Sequence, residues 1–290
     1  MKKIFIKLLL VCFAVCLTPL YAYSDNTSDA NLFVISGYNK ARYGDHEGAI
    51  SDLSKALATG GLEKPDDIYV FRGMEKQEIG DSKGAFADFS YAIVLNPKNS
   101  LAYLSRGSIF ADMKNYKRAM DDFNKAIENK TNYAYAFFKR GSLKVQMKDN
   151  IGALQDLTNS INMEPTAEAY MIRAGIRTDL KDYQGATDDY TKAIKKVKNN
   201  YMLYSLRGSS NIMIQDYKSA VKDYTKALKL KPEYPESYFG RGFAYMKLKD
   251  YKSAEKDLNK AKDIYMQNGN MASYEQTVKF LNYVNANLKK

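Results

Sequence analysis

One feature constrains this chain more than any other: it repeats itself. The pair Arg-Gly recurs as Arg72-Gly73, Arg106-Gly107, Arg140-Gly141, Arg207-Gly208 and Arg241-Gly242, with Arg173-Ala174 in the gap and Ser36-Gly37 at the head. The small residues of this series lie 36, 34, 34, 33, 34 and 34 apart. A fixed period of that length marks an array of supersecondary units, so no residue is interpreted before its place in the period is known. Other positions keep the same phase. Twelve residues on stands Ala49, Ala85, Ala119, Ala153, Ala186, Ala220 or Ala254, and seven further Ala56, Ala92, Ala126, Ser160, Ala193, Ala227 or Ala261. An aromatic precedes the first small residue by four: Phe33, Tyr69, Tyr103, Phe137, Tyr170, Tyr204 and Tyr238. A large residue precedes the last by three: Leu53, Phe89, Phe123, Leu157, Tyr190, Tyr224 and Leu258.

Each half of the unit therefore has apolar residues at helical spacing. Between the halves lies a turn, such as Gly44-Asp45, Lys114-Asn115 or Lys249-Asp250, whose Asp or Asn can cap the second helix. Small residues let two helix backbones approach, and the large side chains fill the space beside them. Pro97, Pro165 and Pro232 stop second helices at one phase. A single helical hairpin cannot bury its apolar face, so neighbours must stack.

This pattern resembles the tetratricopeptide repeat (TPR), with units at 30–65, 66–99, 100–133, 134–166, 167–200, 201–234 and 235–268, or 239 of 290 residues. The resemblance implies an all-α, right-handed superhelical α-solenoid of helix-turn-helix repeats. Residues 269–290 break the period, and Tyr274, Val278, Leu281, Val284 and Leu288 form one helical stripe, expected to be a terminal capping helix rather than a detachable partner-binding helix.

The first 22 residues stand apart. Lys2 and Lys3 precede the apolar run LLLVCFAVCL at 8–17, then Pro19 and a small residue, Ala22. This is a secretory signal pattern with cleavage expected near Ala22. An uncleaved anchor is the alternative, although the run is shorter than the ~20 residues of a comfortable span. Lipidation is disfavoured because Val11 and Val15 precede Cys12 and Cys16. Both cysteines go with the leader, so the mature chain would have no thiol chemistry. Residues 23–29 read as a flexible lead-in. The expected location is a bacterial periplasm or the outside of the cell, with envelope association possible in chemical terms.

Catalysis has little to work with. His46 is the one histidine and stands at the turn where other units have Tyr116, Tyr183, Tyr217 or Tyr251, so it reads as a packing position. No metal spacing, phosphate loop or paired-carboxylate signature is present, so no catalytic residue, cofactor, metal or small-molecule substrate is expected. The series Arg72, Arg106, Arg140, Arg173, Arg207 and Arg241 could serve anionic ligands. Yet every unit also carries an Asp beside its core residue: Asp52, Asp88, Asp122, Asp156, Asp189, Asp223 and Asp257. An Arg–Asp ladder with a structural role is the expectation. The Asp of the preceding unit is the favoured partner, giving pairs such as Asp88 with Arg106, and the Asp of the same unit is the alternative.

In the TPR family, first helices line a concave groove. Carried over, the resemblance implies an apolar groove of Leu101, Leu104, Tyr135, Phe138, Val145, Met171, Met202, Ile212, Met213, Phe239, Phe243 and Met246. Met and aromatic side chains there suit a peptide, extended or helical. The Lys and Asn of the family's carboxylate clamp are missing. Residues 181–263 carry net +7, with Lys192, Lys195, Lys218, Lys222, Lys226, Lys229, Lys252 and Lys256 on second helices. That face is a solvated surface or a contact for something anionic. Nucleic acid is not expected behind an export signal. The expectation is a non-enzymatic interaction scaffold of the bacterial cell envelope that binds a protein or peptide in the groove. The alternative is an attachment or assembly module using the basic outer face.

Overall fold

In a computed structural model of the chain, residues 29–289 are described. The expected leader and nearly all of the expected lead-in fall on residues 1–28, outside them. The described residues contain helices and no strand. They divide into two compact units, up to Leu143 and from Lys144 onward.

The first unit holds α1 (Asp29–Arg42), α2 (His46–Thr59), α3 (Pro65–Glu78), α4 (Ser82–Leu95), α5 (Ser100–Asp112), α6 (Tyr116–Asn129) and most of α7 (Ala134–Gln146). The second holds α8 (Asn150–Met163), α9 (Ala167–Asp179), α10 (Tyr183–Lys196), α11 (Tyr201–Met213), α12 (Tyr217–Leu230), α13 (Pro235–Lys247), α14 (Tyr251–Gln267) and α15 (Met271–Leu288). Within each unit helices pack on their neighbours in sequence, α1 on α2 and α2 on α3 in the first, α9 on α10 and α10 on α11 in the second. Each unit is a piece of α-solenoid.

The hairpin turn follows from two residues. Its first sits in the left-handed region, as Gly44 and Gly80 but also as Lys114, Lys148, Lys181, Gln215 and Lys249, with φ between 58° and 85°. The second caps the next helix: the Asp149, Asp182 and Asp216 side chains accept from the backbone N–H three residues on, at 2.9–3.0 Å.

Small residues then set the approach. Ala85, Ala92, Ala119, Ala126, Ala220 and Ala227 are fully buried. A Cβ on Gly73 would come within 2.6 Å of the Phe89 ring, so only glycine lets that ring into the hairpin. Phe89 and Phe123 are buried in turn. Burial of each such ring contributes roughly 1.5–3 kcal/mol relative to exposure.

The terminal helix α15 packs on α14. Its buried stripe is Thr277, Leu281 and Val284. Leu288, expected in that stripe, is exposed instead, and Phe280 supplies ring contacts one position from it. The register is thus rotated toward Phe280 because rings on α13 are available to meet it.

Candidate functional site

The Arg–Asp rungs form within one hairpin. Arg72 Nε and Nη2 donate to Asp88 at 2.9 and 2.7 Å, and Arg106 to Asp122 at 2.8 and 2.8 Å. In the second unit Arg173 pairs with Asp189 at 2.8 and 2.7 Å, Arg207 with Asp223 at 2.9 Å through Nε, and Arg241 with Asp257 at 2.7 and 2.9 Å. The favoured pairing of Asp88 with Arg106 is therefore corrected. The close approach at the small residue explains it: a Cβ on Gly107 would lie 3.0 Å from the Asp122 Cβ, which brings the carboxylate under the fork. The third guanidinium nitrogen reaches back one repeat instead. Nη1 of Arg72, Arg173, Arg207 and Arg241 donates to Ser54, Thr158, Thr191 and Thr225 at 3.0 Å, and that of Arg140 to Asn124 at 2.8 Å. Each such arginine ties two repeats together.

A second cation shares several of these carboxylates. Four residues after the Arg position stand Lys40, Lys76, Lys144 and Arg177, at 2.7, 2.9, 2.8 and 2.9 Å from Asp52, Asp88, Asp156 and Asp189. Asp52, whose repeat has Ser36 at the ladder position in place of Arg, is held by Lys40, Ser36 and Lys55. Lys40 above all, helped by Ser36, holds its carboxyl down at about 2. Periodicity carried a signal for this series, since a basic residue recurs at one phase in four repeats. It was masked because Phe110, Asn211 and Tyr245 interrupt it.

The residues expected to line the groove divide by unit. In the first, Leu104 is 2% exposed and belongs to the core with Phe110, Phe123 and Leu143, and Leu101 and Tyr135 pack against the same cluster. Leu104 is corrected from groove to core. Tyr135 stacks on Phe138 with centroids 6.0 Å apart, and Lys139 lies over Tyr135. Burial pushes the Tyr135 hydroxyl up to about 12.

In the second unit the same face opens. On α11, Met202, Leu206, Ser209 and Met213 recur at spacings of four, three and four, which is one side of a helix. All four are exposed, the three apolar ones by 42%, 36% and 53%. Leu206 was absent from the sequence-based set because its family position is not a usual ligand contact. Met171 and Ile212 are half-buried beside the stripe, as is Val145 at the start of the unit. A Cβ on Gly175 of α9 would meet nothing within 4 Å, so the surface dips there. Ser209 is held from behind by the Tyr224 hydroxyl at 2.9 Å. Farther along, Met246 is buried with Leu281 and Val284, and Phe280 of α15 packs edge-on against Phe239 and Phe243 at 5.6 and 5.4 Å. Met246 is corrected to core, and the two phenylalanines to contacts of α15.

Comparison with known families places three repeats. A TPR repeat model matches residues 214–249, and tetratricopeptide repeat models match 235–268 and 101–133. The chain carries tetratricopeptide repeats. No curated protein sequence matches it. Solved structures share the fold. YrrB, described as a TPR protein with an unusual peptide-binding site, superposes with TM-score 0.61 at 17% identity over 65% of this chain and 96% of YrrB. PilF of Pseudomonas aeruginosa gives TM-score 0.63 at 18% identity over 72% and 95%. A tetratricopeptide repeat protein of Parabacteroides merdae gives 0.57 at 18% over 87% and 100%. These likenesses show the fold, an α-solenoid of TPR hairpins.

Two further features of this chain bear on chemistry. His46 is more than a packing residue: its Nδ1 lies 2.7 Å from Glu75 Oε2, and Glu75 is fully buried. Burial pushes the Glu75 carboxyl up, and among the described residues its Oε1 has no hydrogen-bond partner. Among the described residues no group of three or more His, Cys, Asp or Glu could hold a metal, and no helix is long and apolar enough to cross a membrane.

Proposed function

We propose that this protein is an exported scaffold that holds a peptide or protein segment on the first-helix face of its second unit. The α11 stripe carries the reading. Three exposed apolar side chains in one line on a packed helix form a sticky surface that water does not favour. Two are methionines, whose flexible thioethers adapt to varied apolar partners. The dip at Gly175 gives a partner backbone room beside them. The peptide-binding site described for YrrB supports this use of a similar fold. Export rests on the Lys2-Lys3 start and the apolar run at 8–17.

The test is affinity capture from the native envelope fraction with the full chain and a Met202→Asp, Met213→Asp pair. The partners should be lost with the pair and should persist at high salt. Partners that survive the double change and wash off in salt overturn the groove. The mature N-terminus, read by mass, should begin near Tyr23.

One observation favours a second reading. Lys218, Lys222, Lys226 and Lys229 line the exposed side of α12, and Lys252, Lys256 and Lys260 that of α14. Such stripes suit an anionic surface, whose contacts weaken with salt within a Debye length of about 8–10 Å. That is why the capture is run at two salt concentrations.

A further inference from the structure

The fourth residue after the Arg position is filled by a cation or a ring in six repeats and by a short amide in one. Lys40, Lys76, Lys144 and Arg177 place a cation against the ladder carboxylate. Phe110 and Tyr245 fill the place with a ring, Phe110 against Phe86 at 5.3 Å and Tyr245 against the core around Leu258. In the sixth repeat the residue is Asn211. Its Nδ2 donates to Asp223 Oδ2 at 2.9 Å and the side chain ends there. A crevice of about 380 Å³ opens beside it, between α10, α11 and α12.

The acceptors that hold the cation elsewhere are still present. In the fifth repeat Arg177 Nη1 donates to the Gly185 carbonyl at 3.0 Å and to Asp189 Oδ2 at 2.9 Å. In the fourth, Lys144 Nζ sits 2.8 Å from Asp156 and 3.5 Å from the Gly152 carbonyl. The sixth-repeat counterparts are Ser219 and Asp223, and both line the crevice. Thr187 and Thr191 add hydroxyls on the α10 side. Asp223 Oδ2 accepts from Arg207 Nε and Asn211 Nδ2, as Asp189 Oδ2 does from Arg173 and Arg177, so an entering cation meets the remaining lone pair of Asp223 Oδ1, which has Arg207 Nη2 as its one donor among the described residues, and the Ser219 carbonyl. Lys222 also borders the opening but is exposed and offset by Asp216. The two acids and two bases around the crevice balance, so local hydrogen-bond geometry rather than net charge selects what enters.

We propose that this crevice is a binding site for a protonated amine or guanidinium carried on a flexible stem, seated where sister repeats place their own Lys or Arg. It is walled by α11 and the second helices α10 and α12 and includes none of the stripe residues Met202, Leu206, Ser209 and Met213, so it goes beyond the groove reading. The same chemistry comes from a lysine or arginine side chain of a partner or from a free diamine.

The test follows amide NMR shifts of the full chain during titration with cadaverine, whose stem matches that of lysine. Saturable shifts centred on Thr187, Asn211 and Ser219 are expected, with none from the matching diol or from glutarate. Asn211→Lys refills the crevice as the fourth repeat does, and Asn211→Tyr as the seventh does. Both variants should keep the helical circular dichroism of the wild type and lose the shifts. Equal shifts with the diol or glutarate, shifts retained in both folded variants, or no shift in the wild type would each overturn the site. A capped lysine amide run alongside assigns the source. Tighter binding than cadaverine points to a partner side chain and weaker binding to a free amine, and either result upholds the pocket.

Discussion

The third repeat, in the first unit, and the sixth, in the second, dress their first helices differently. In the first, the first-helix positions of the third repeat turn inward: Leu104 is core and Leu101 packs against it. In the second, the sixth repeat buries Ser205 at the place of Leu104 but turns Met202, at the place of Leu101, outward together with Leu206 and Met213. The period is identical, so fold and display are set by different positions. Alanine, glycine and the ring opposite them fix the hairpin, and the remaining side of the first helix is available to be buried or shown. The ladder differs as well. Among the described residues Asp122 of the first unit accepts from Arg106 alone, because Phe110 stands where a second cation would be. Asp189 of the second unit holds Arg173 and Arg177.

The largest expected effect tests that ladder difference. Arg106→Leu leaves the buried Asp122 without a counter-charge and should cost about 3–5 kcal/mol in urea unfolding. Arg173→Leu leaves Arg177 on Asp189 and should cost roughly half as much. Equal losses would erase the distinction between one and two cations.

Next is the inward-outward contrast. Leu104→Ala should cost about 2–5 kcal/mol, and Met202→Ala should stay within roughly 0.5 kcal/mol by the same measurement. A large loss at Met202 would mean that the stripe is structural.

Acid should separate the ends of the array. Asp52 is held at about 2, so its bonds to Lys40 and Ser36 add stability above the ordinary carboxylate range. That contribution is lost as pH falls toward 2, because protonation then favours the unfolded chain. The stability gap between wild type and Asp52→Asn should close over that interval. A gap that stays constant with pH would remove the charge from the explanation.

The smallest effect concerns a turn. Lys181 sits at φ 63°, where a side chain is disfavoured, and Lys181→Gly should stabilise by up to about 1 kcal/mol in thermal melts. In the first unit Gly44 and Gly80 already occupy this position, so of its three turns Lys114, at φ 58°, is the one that offers a comparable gain.

The fold was legible because it depends on a few small residues whose spacing cannot drift. Ala85, Ala119 and Ala220 each admit a neighbouring helix, and any larger side chain would push it away. The site was less legible. Family position alone put Leu104 and Met246 in the groove, although burial depends on what the neighbouring helix offers, and Leu281 is what covers Met246. Leu206 is not legible from family position, which is not a usual ligand contact, and its exposure shows only in the folded helix. The pairing of Arg106 was misjudged because sequence spacing does not show which of two flanking carboxylates the close approach at Gly107 brings nearer.

The ring of Phe280 on Phe239 and Phe243 has a consequence for the length of what can be held. Under the groove reading proposed above, it ends the apolar track and leaves the widths of α9 and α11 to a visitor. At 8–10 Å per helix that is about 20 Å, the reach of roughly six residues of extended chain. On that same reading, a binding motif would be short, with nothing required beyond about six residues.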